Sequence, residues 1–130
     1  MNSHTRTLSF LVVDDNEVVR EVFVRLIERA GHAASLAKDG VEAVEALQAE
    51  TFDVMLLDIT MPRMSGLEVV RWLHEHPDVA PSTRVVVISA WAGEHRAMLQ
   101  ELGVETMMQK PLRIQQLTDL IEETLLSGDA

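Results

Sequence analysis

The sequence predicts an α/β domain built as (βα)5, a doubly wound five-stranded parallel sheet with helices on both faces. Three observations carry this. Short apolar runs alternate with helical patterns along the 130-residue chain. Phe10-Leu11-Val12-Val13, Val54-Met55-Leu56-Leu57 and Val85-Val86-Val87-Ile88 are continuously apolar, as strands buried on both faces are. Strand–helix alternation demands right-handed crossovers, which cover both faces of a parallel sheet.

Each element follows in order. The first strand is Phe10–Val13. The first helix starts at Asn16, a capping residue, and ends at Gly31. Its pattern sends Val18, Val19, Val22, Phe23, Leu26 and Ile27 to one face and Glu17, Arg20, Glu21, Arg25 and Glu28 to the other. The second strand is Ala33–Ala37, and the second helix runs from about Val41 to Gln48. The third strand, Val54–Leu57, leads through a loop to a helix that follows Ser65-Gly66 and stops before Pro77. The fourth strand is Val85–Ile88, with a weak helix over Glu94–Leu102 ended by Gly103. The fifth strand is Thr106–Met108, and the last helix spans Ile114–Leu126. The domain is expected over residues 8–126, with loose ends at 1–7 and 127–130.

Composition removes several function classes. Eleven basic against 21 acidic side chains give a net charge of −10, which opposes binding to nucleic acid or anionic lipid. No cysteine is present, so disulfides, thiolate metal sites and cysteine nucleophiles are excluded. No apolar run approaches the ~18 residues of a membrane span. The five histidines lack ligand spacing and are expected in solvent. Met61 and Met64 read as loop packing, and Gly40 and Gly66 as helix starts.

In a parallel α/β sheet, ligands sit outside the carboxyl ends of the strands. There the first strand delivers Asp14-Asp15, the third Asp58, the fourth Ser89 and the fifth Lys110-Pro111. Clustered carboxylates repel one another unless a cation sits among them, and oxygen-only ligands favour a hard ion such as Mg²⁺. A carboxylate can take a phosphoryl group as an aspartyl phosphate, and a lysine can neutralise its oxygens.

These motifs, Leu11-Val12-Val13-Asp14-Asp15-Asn16, Asp58-Ile59-Thr60-Met61-Pro62-Arg63-Met64-Ser65-Gly66, Ser89-Ala90 and Lys110-Pro111, resemble those of the receiver domain of bacterial response regulators. The resemblance covers roughly Ser9 to Leu126. It implies a flavodoxin-like fold with strand order 2-1-3-4-5. It implies that Asp58 is the phosphoacceptor, fed by a phosphohistidine on a sensor histidine kinase or phosphotransfer protein. Asp14, Asp15, Asp58 and the Thr60 carbonyl would hold Mg²⁺. Ser89 would be the switch hydroxyl and Lys110 the partner of Asp58 and then of the phosphate. The Lys110-Pro111 bond would be cis. Phosphorylation would alter the surface of the fourth helix, fifth strand and fifth helix for a downstream partner.

Two residues depart from the pattern. Met107 stands where the family usually has Tyr or Phe, so a softer rearrangement is expected in place of an aromatic flip. Trp91, two residues after Ser89, and Thr60, two after Asp58, stand at positions that tune phosphoryl lifetime.

The expectation is a stand-alone cytoplasmic receiver, a monomer or weak dimer without direct nucleic-acid or membrane binding. It acts on no external small molecule and catalyses only its own phosphorylation and dephosphorylation. One alternative is a receiver cut from a larger regulator or hybrid kinase. A remoter one is an Mg²⁺-dependent phosphatase with an Asp nucleophile, which Thr60 opposes because that class carries a second acid there.

Overall fold

The computed structural model describes residues 6–61, 63–90 and 92–128. Five parallel strands, β1 (Ser9–Val13), β2 (Ala33–Ala37), β3 (Val54–Asp58), β4 (Arg84–Ser89) and β5 (Thr106–Gln109), form one sheet in the order β2-β1-β3-β4-β5. The helices are α1 (Glu17–Arg29), α2 (Gly40–Ala49), α3 (Gly66–Glu75), α4 (Arg96–Glu101) and α5 (Ile114–Gly128). The expected architecture and strand order are both observed.

Alternation along the strands sorts the core into two layers. Leu11, Val13, Met55, Leu57 and Val87 pack with Leu47, Val69, Val70 and Leu99 of α2, α3 and α4. Phe10, Val12, Val54, Leu56, Val86 and Ile88 pack with Ile27, Leu117, Leu120 and Ile121 of α1 and α5. β3 is buried at all five positions. β2, an edge strand, buries only Ala37 fully.

The sequence signals for helix ends operate as expected. The Asn16 side chain accepts the Val19 N–H at 3.0 Å. Ser65 and Glu68 form a reciprocal capping box at α3. Gly31 (φ 92°) donates to the Glu28 carbonyl while His32 donates to that of Ile27. Gly103 (φ 95°) and Val104 repeat this with Gln100 and Leu99. Both are Schellman endings, which require the left-handed backbone that glycine adopts freely.

Several expectations need correction. Val18 is 69% exposed and Val22 48%, so the inward face of α1 is Phe23, Val24, Leu26 and Ile27. The fourth helix is split into a 3₁₀ turn, Ala92–His95, and the six-residue α4, because no side chain caps the first helical turn. His32 is buried at 6% exposure, because the Gly31 turn sends it inward, where its Nδ1 accepts the Leu8 N–H at 3.0 Å. His95 is half-buried, and His4 lies outside the described residues. Met61 and Met64 do pack in the core layer under α3.

The end of the sheet where the strands start is tied by charges. Asp53 accepts the Ser9 N–H at 2.8 Å and pairs with Arg6 at 4.0 Å. Arg84 pairs with Glu123 and donates to the Thr106 hydroxyl at 2.9 Å. Arg6 is therefore engaged although a loose end was expected there, and α5 runs two residues past its expected end.

Candidate functional site

Strand order decides which residues meet. β1 and β3 are neighbours, in register from Phe10–Val54 to Val13–Leu57. The residues that follow, Asp14 and Asp58, therefore leave the sheet side by side. β4 and β5 continue the edge, pairing Ser89 with Gln109 just before Lys110.

Asp14, Asp15 and Asp58 each bring a carboxylate oxygen within 4.8 Å of the others. Asp14 (3%) and Asp58 (5%) are buried, while Asp15 faces solvent. The Lys110 ammonium stands between the buried pair, 3.2 Å from Asp58 Oδ1 and 3.4 Å from Asp14 Oδ2. Asp14 Oδ1 accepts the Asn16 N–H at 2.9 Å, and Asp58 Oδ1 accepts the Thr60 N–H at 3.4 Å.

The electrostatics follow from this crowding. Burial pushes the Asp58 carboxyl above its usual range, and the Asp14 charge pushes it further, against Lys110 and the Thr60 N–H. Burial pulls the Lys110 ammonium down, but Asp58 and Asp14 outweigh it and hold Lys110 above its usual range. One ammonium is thus shared by two of the three clustered carboxylates, and the oxygen-only donor set fits a hard divalent cation.

Ser89 ends β4, is buried, and its carbonyl accepts the Lys110 N–H at 3.0 Å. The Lys110-Pro111 peptide is cis. Thr60 is exposed, and Met107 is half-buried against the α4 side of the core. Trp91 lies outside the described residues.

The structure adds residues that the sequence reading left out. Arg20, expected in solvent, donates from Nη1 to the Asp14 carbonyl at 2.7 Å. Its position one turn into α1 on the acidic side was the available signal. Arg63 pairs with Asp39, and the Gln109 amide donates to the Ala90 carbonyl at 2.6 Å. Neither long-range contact has a local signature.

Beside the site runs an apolar groove of about 460 Å³ lined by Val18, Val19, Val22, Phe23, Ile88, Lys110, Pro111 and Leu112. Lys110 is common to the groove and the acidic cluster.

Comparison with known proteins agrees with this geometry. Residues 10–122 match the response regulator receiver domain family. The polar-differentiation response regulator DivK of Brucella ovis is 32% identical over 126 residues, 95% of this chain and 99% of the relative. That of Brucella anthropi is 32% identical over 124 residues, covering 94% and 98%. A CheY-like receiver domain from Methanospirillum hungatei superposes with a TM-score of 0.85 at 22% identity, covering 95% of this chain and 98% of that one. The Thermotoga maritima response regulator TrrA, solved in complex with Mg²⁺-BeF, gives 0.78 at 24% identity, covering 91% and 99%.

Proposed function

Because the chain belongs to the response regulator receiver domain family, we propose that it is a signalling receiver that accepts a phosphoryl group on Asp58 from a phosphohistidine. The observation that carries this is the Lys110 ammonium shared between Asp58 and Asp14 at the carboxyl edge of the sheet. The donor is a sensor histidine kinase or a histidine phosphotransfer protein. An Asp58 oxygen attacks phosphorus, an O–P bond forms as the donor's P–N bond breaks, and the imidazole leaves with a proton from solvent. Asp58 needs to be ionised for this, and Lys110 favours that form. Lys110 then meets the charge arriving on the phosphoryl oxygens.

Asp14, Asp15, Asp58 and the Thr60 carbonyl would hold Mg²⁺, as the Mg²⁺-BeF complex of the Thermotoga relative suggests by analogy. The ion would supply charge neutralisation at the phosphoryl oxygens. The donor docks on the groove formed by Val18, Val22, Pro111 and Leu112, since that apolar surface adjoins the acidic pocket through Lys110. After transfer, Ser89 moves toward the phosphoryl group, and the α4–β5–α5 face changes for a downstream protein. Met107 transmits this by repacking a flexible side chain in place of an aromatic flip. Such a receiver acts in the cytoplasm, modifies no external substrate and limits its own phosphoryl lifetime. No described helix is long and apolar enough to cross a membrane.

The test is intact mass after incubation with Mg²⁺ and a small acyl phosphate. One phosphoryl group is expected on the wild-type chain, and none on Asp58→Asn or in the presence of a chelator. An adduct that persists on Asp58→Asn would overturn the assignment.

A further inference from the structure

The loop between β3 and α3 carries Thr60 and reaches across to the start of α2. Its two ends are fixed locally, by β3 itself and by the Gly66 N–H on the Ile59 carbonyl at 2.9 Å together with the Ser65 capping box. Arg63 and Met64 are held from outside the loop, at two points. The Gly40 N–H donates to the Met64 carbonyl at 3.0 Å. A Cβ on Gly40 would lie under 3.0 Å from that oxygen, so the two backbones meet without room for a side chain.

The second point is ionic. Arg63 directs Nε, at 2.8 Å, and Nη2, at 2.7 Å, onto one oxygen of Asp39. The other oxygen of Asp39 accepts the Glu42 N–H at 2.9 Å and caps α2. The Asp39 side chain is 4% exposed, while that of Arg63 is 56% exposed. An exposed arginine is thus anchored by a buried, doubly used carboxylate. Arg63 also sits at φ 64°, left-handed backbone that a non-glycine residue adopts at a cost.

We propose that Arg63 is a positioning residue for the phosphoryl-accepting site: its ion pair with Asp39 fixes the loop after β3 so that Thr60 stands ready beside Asp58. The inference rests on the receiver function proposed above and extends it to residues outside the acidic cluster. Thr60 is three residues before Arg63, is exposed, and its N–H reaches Asp58 over a long 3.4 Å. Thr60 thus sits between the end held locally at Ile59 and the point held by Arg63, and its placement answers to both. Side chains that hydrogen-bond a metal's own ligands change its affinity about 10-fold to 100-fold when removed, and Arg63, acting at one remove through the loop, belongs at the lower end.

The experiment titrates Mg²⁺ alone into the full chain by calorimetry, with circular dichroism melts confirming that each variant is folded at the titration temperature. The set is wild type, Arg63→Gly, Arg63→Lys, Asp39→Asn and the double variant Arg63→Gly/Asp39→Asn. Arg63→Gly removes the ion pair but suits the left-handed backbone, so it keeps the fold. It is expected to weaken Mg²⁺ binding about tenfold. A through-space charge effect has the opposite sign, because deleting a cation from an acidic chain strengthens Mg²⁺ binding. Arg63→Lys is expected to recover part of the loss, since a lysine restores the charge without the two-pronged contact. The double variant is expected to lose no more than the worse single one. Unchanged or tighter Mg²⁺ binding by folded Arg63→Gly, or additive losses, would overturn the proposal. A wild-type chain that binds no Mg²⁺ would overturn the receiver function and the proposal together, so the two failures are told apart by the wild-type titration.

Discussion

Asp58 sets chemistry against folding. Its carboxyl is buried beside Asp14, and both effects raise it above the usual range. A carboxyl raised in the folded state adds stability below its unfolded value of about 4, and that contribution is lost as pH rises through the folded value. Ionised Asp58 therefore burdens the fold at neutral pH. Asp58→Asn is expected to raise stability by about 1 kcal/mol at pH 7. The gain should shrink as pH falls from the raised folded value toward about 4, and be gone below it, where both chains are uncharged at this position. Urea denaturation at pH 7 and pH 3.5 reads this directly, and a variant less stable than wild type at pH 7 would refute it. At this scale the sequence was legible where chemistry is local to a strand end. Asp14, Asp15, Asp58, Ser89 and Lys110 all lie where their strands place them. It misplaced His32 in solvent and was silent on Arg63–Asp39, because burial and pairing across 24 residues arise only in the assembled fold.

Among the elements, α1 is the instructive case. Its apolar positions are real, but two of them, Val18 and Val22, are turned to solvent beside Lys110 and Pro111. Periodicity reports which residues share a face and not what covers that face. An aspartate at Val22 should leave the core untouched and repel an apolar donor surface. Val22→Asp is expected to slow phosphoryl transfer from a phosphohistidine protein about tenfold or more, while labelling by a small acyl phosphate stays within about twofold. Equal loss with both donors would show damage to the site itself and not to docking. The strands were the most legible elements, since β1, β3 and β4 each contain a continuous run of four apolar residues and lie inside the sheet. α4 was the least legible, because its six residues give too short a pattern to fix a start.

For the whole molecule, charge and topology act together. The chain carries −10 overall, and the sheet order gathers three carboxylates at one edge. Added Mg²⁺ should therefore stabilise the native chain by mass action, by about 2.7 kcal/mol at a hundredfold excess over its Kd. The urea midpoint should rise accordingly, and Asp15→Asn should lose most of the rise. Superimposable curves in Mg²⁺ and in chelator would exclude a native-state cation site. The five-unit order was readable because alternation restricts the topology so strongly. The neighbour relation of β1 and β3 came from resemblance, since no single strand encodes its place in the order.

The two ends of the sheet have taken on separate duties. Where the strands begin, Arg6, Asp53, Arg84 and Glu123 cross-tie β1, β3, β4 and α5, and glycine joints at Gly31 and Gly103 feed the chain back toward the sheet. Where the strands finish, like charges are crowded and one lysine is shared. The first end is a foundation and the second a workbench. A change in a loop at the workbench leaves the ties of the foundation in place, so the fold is specified apart from the chemistry it carries.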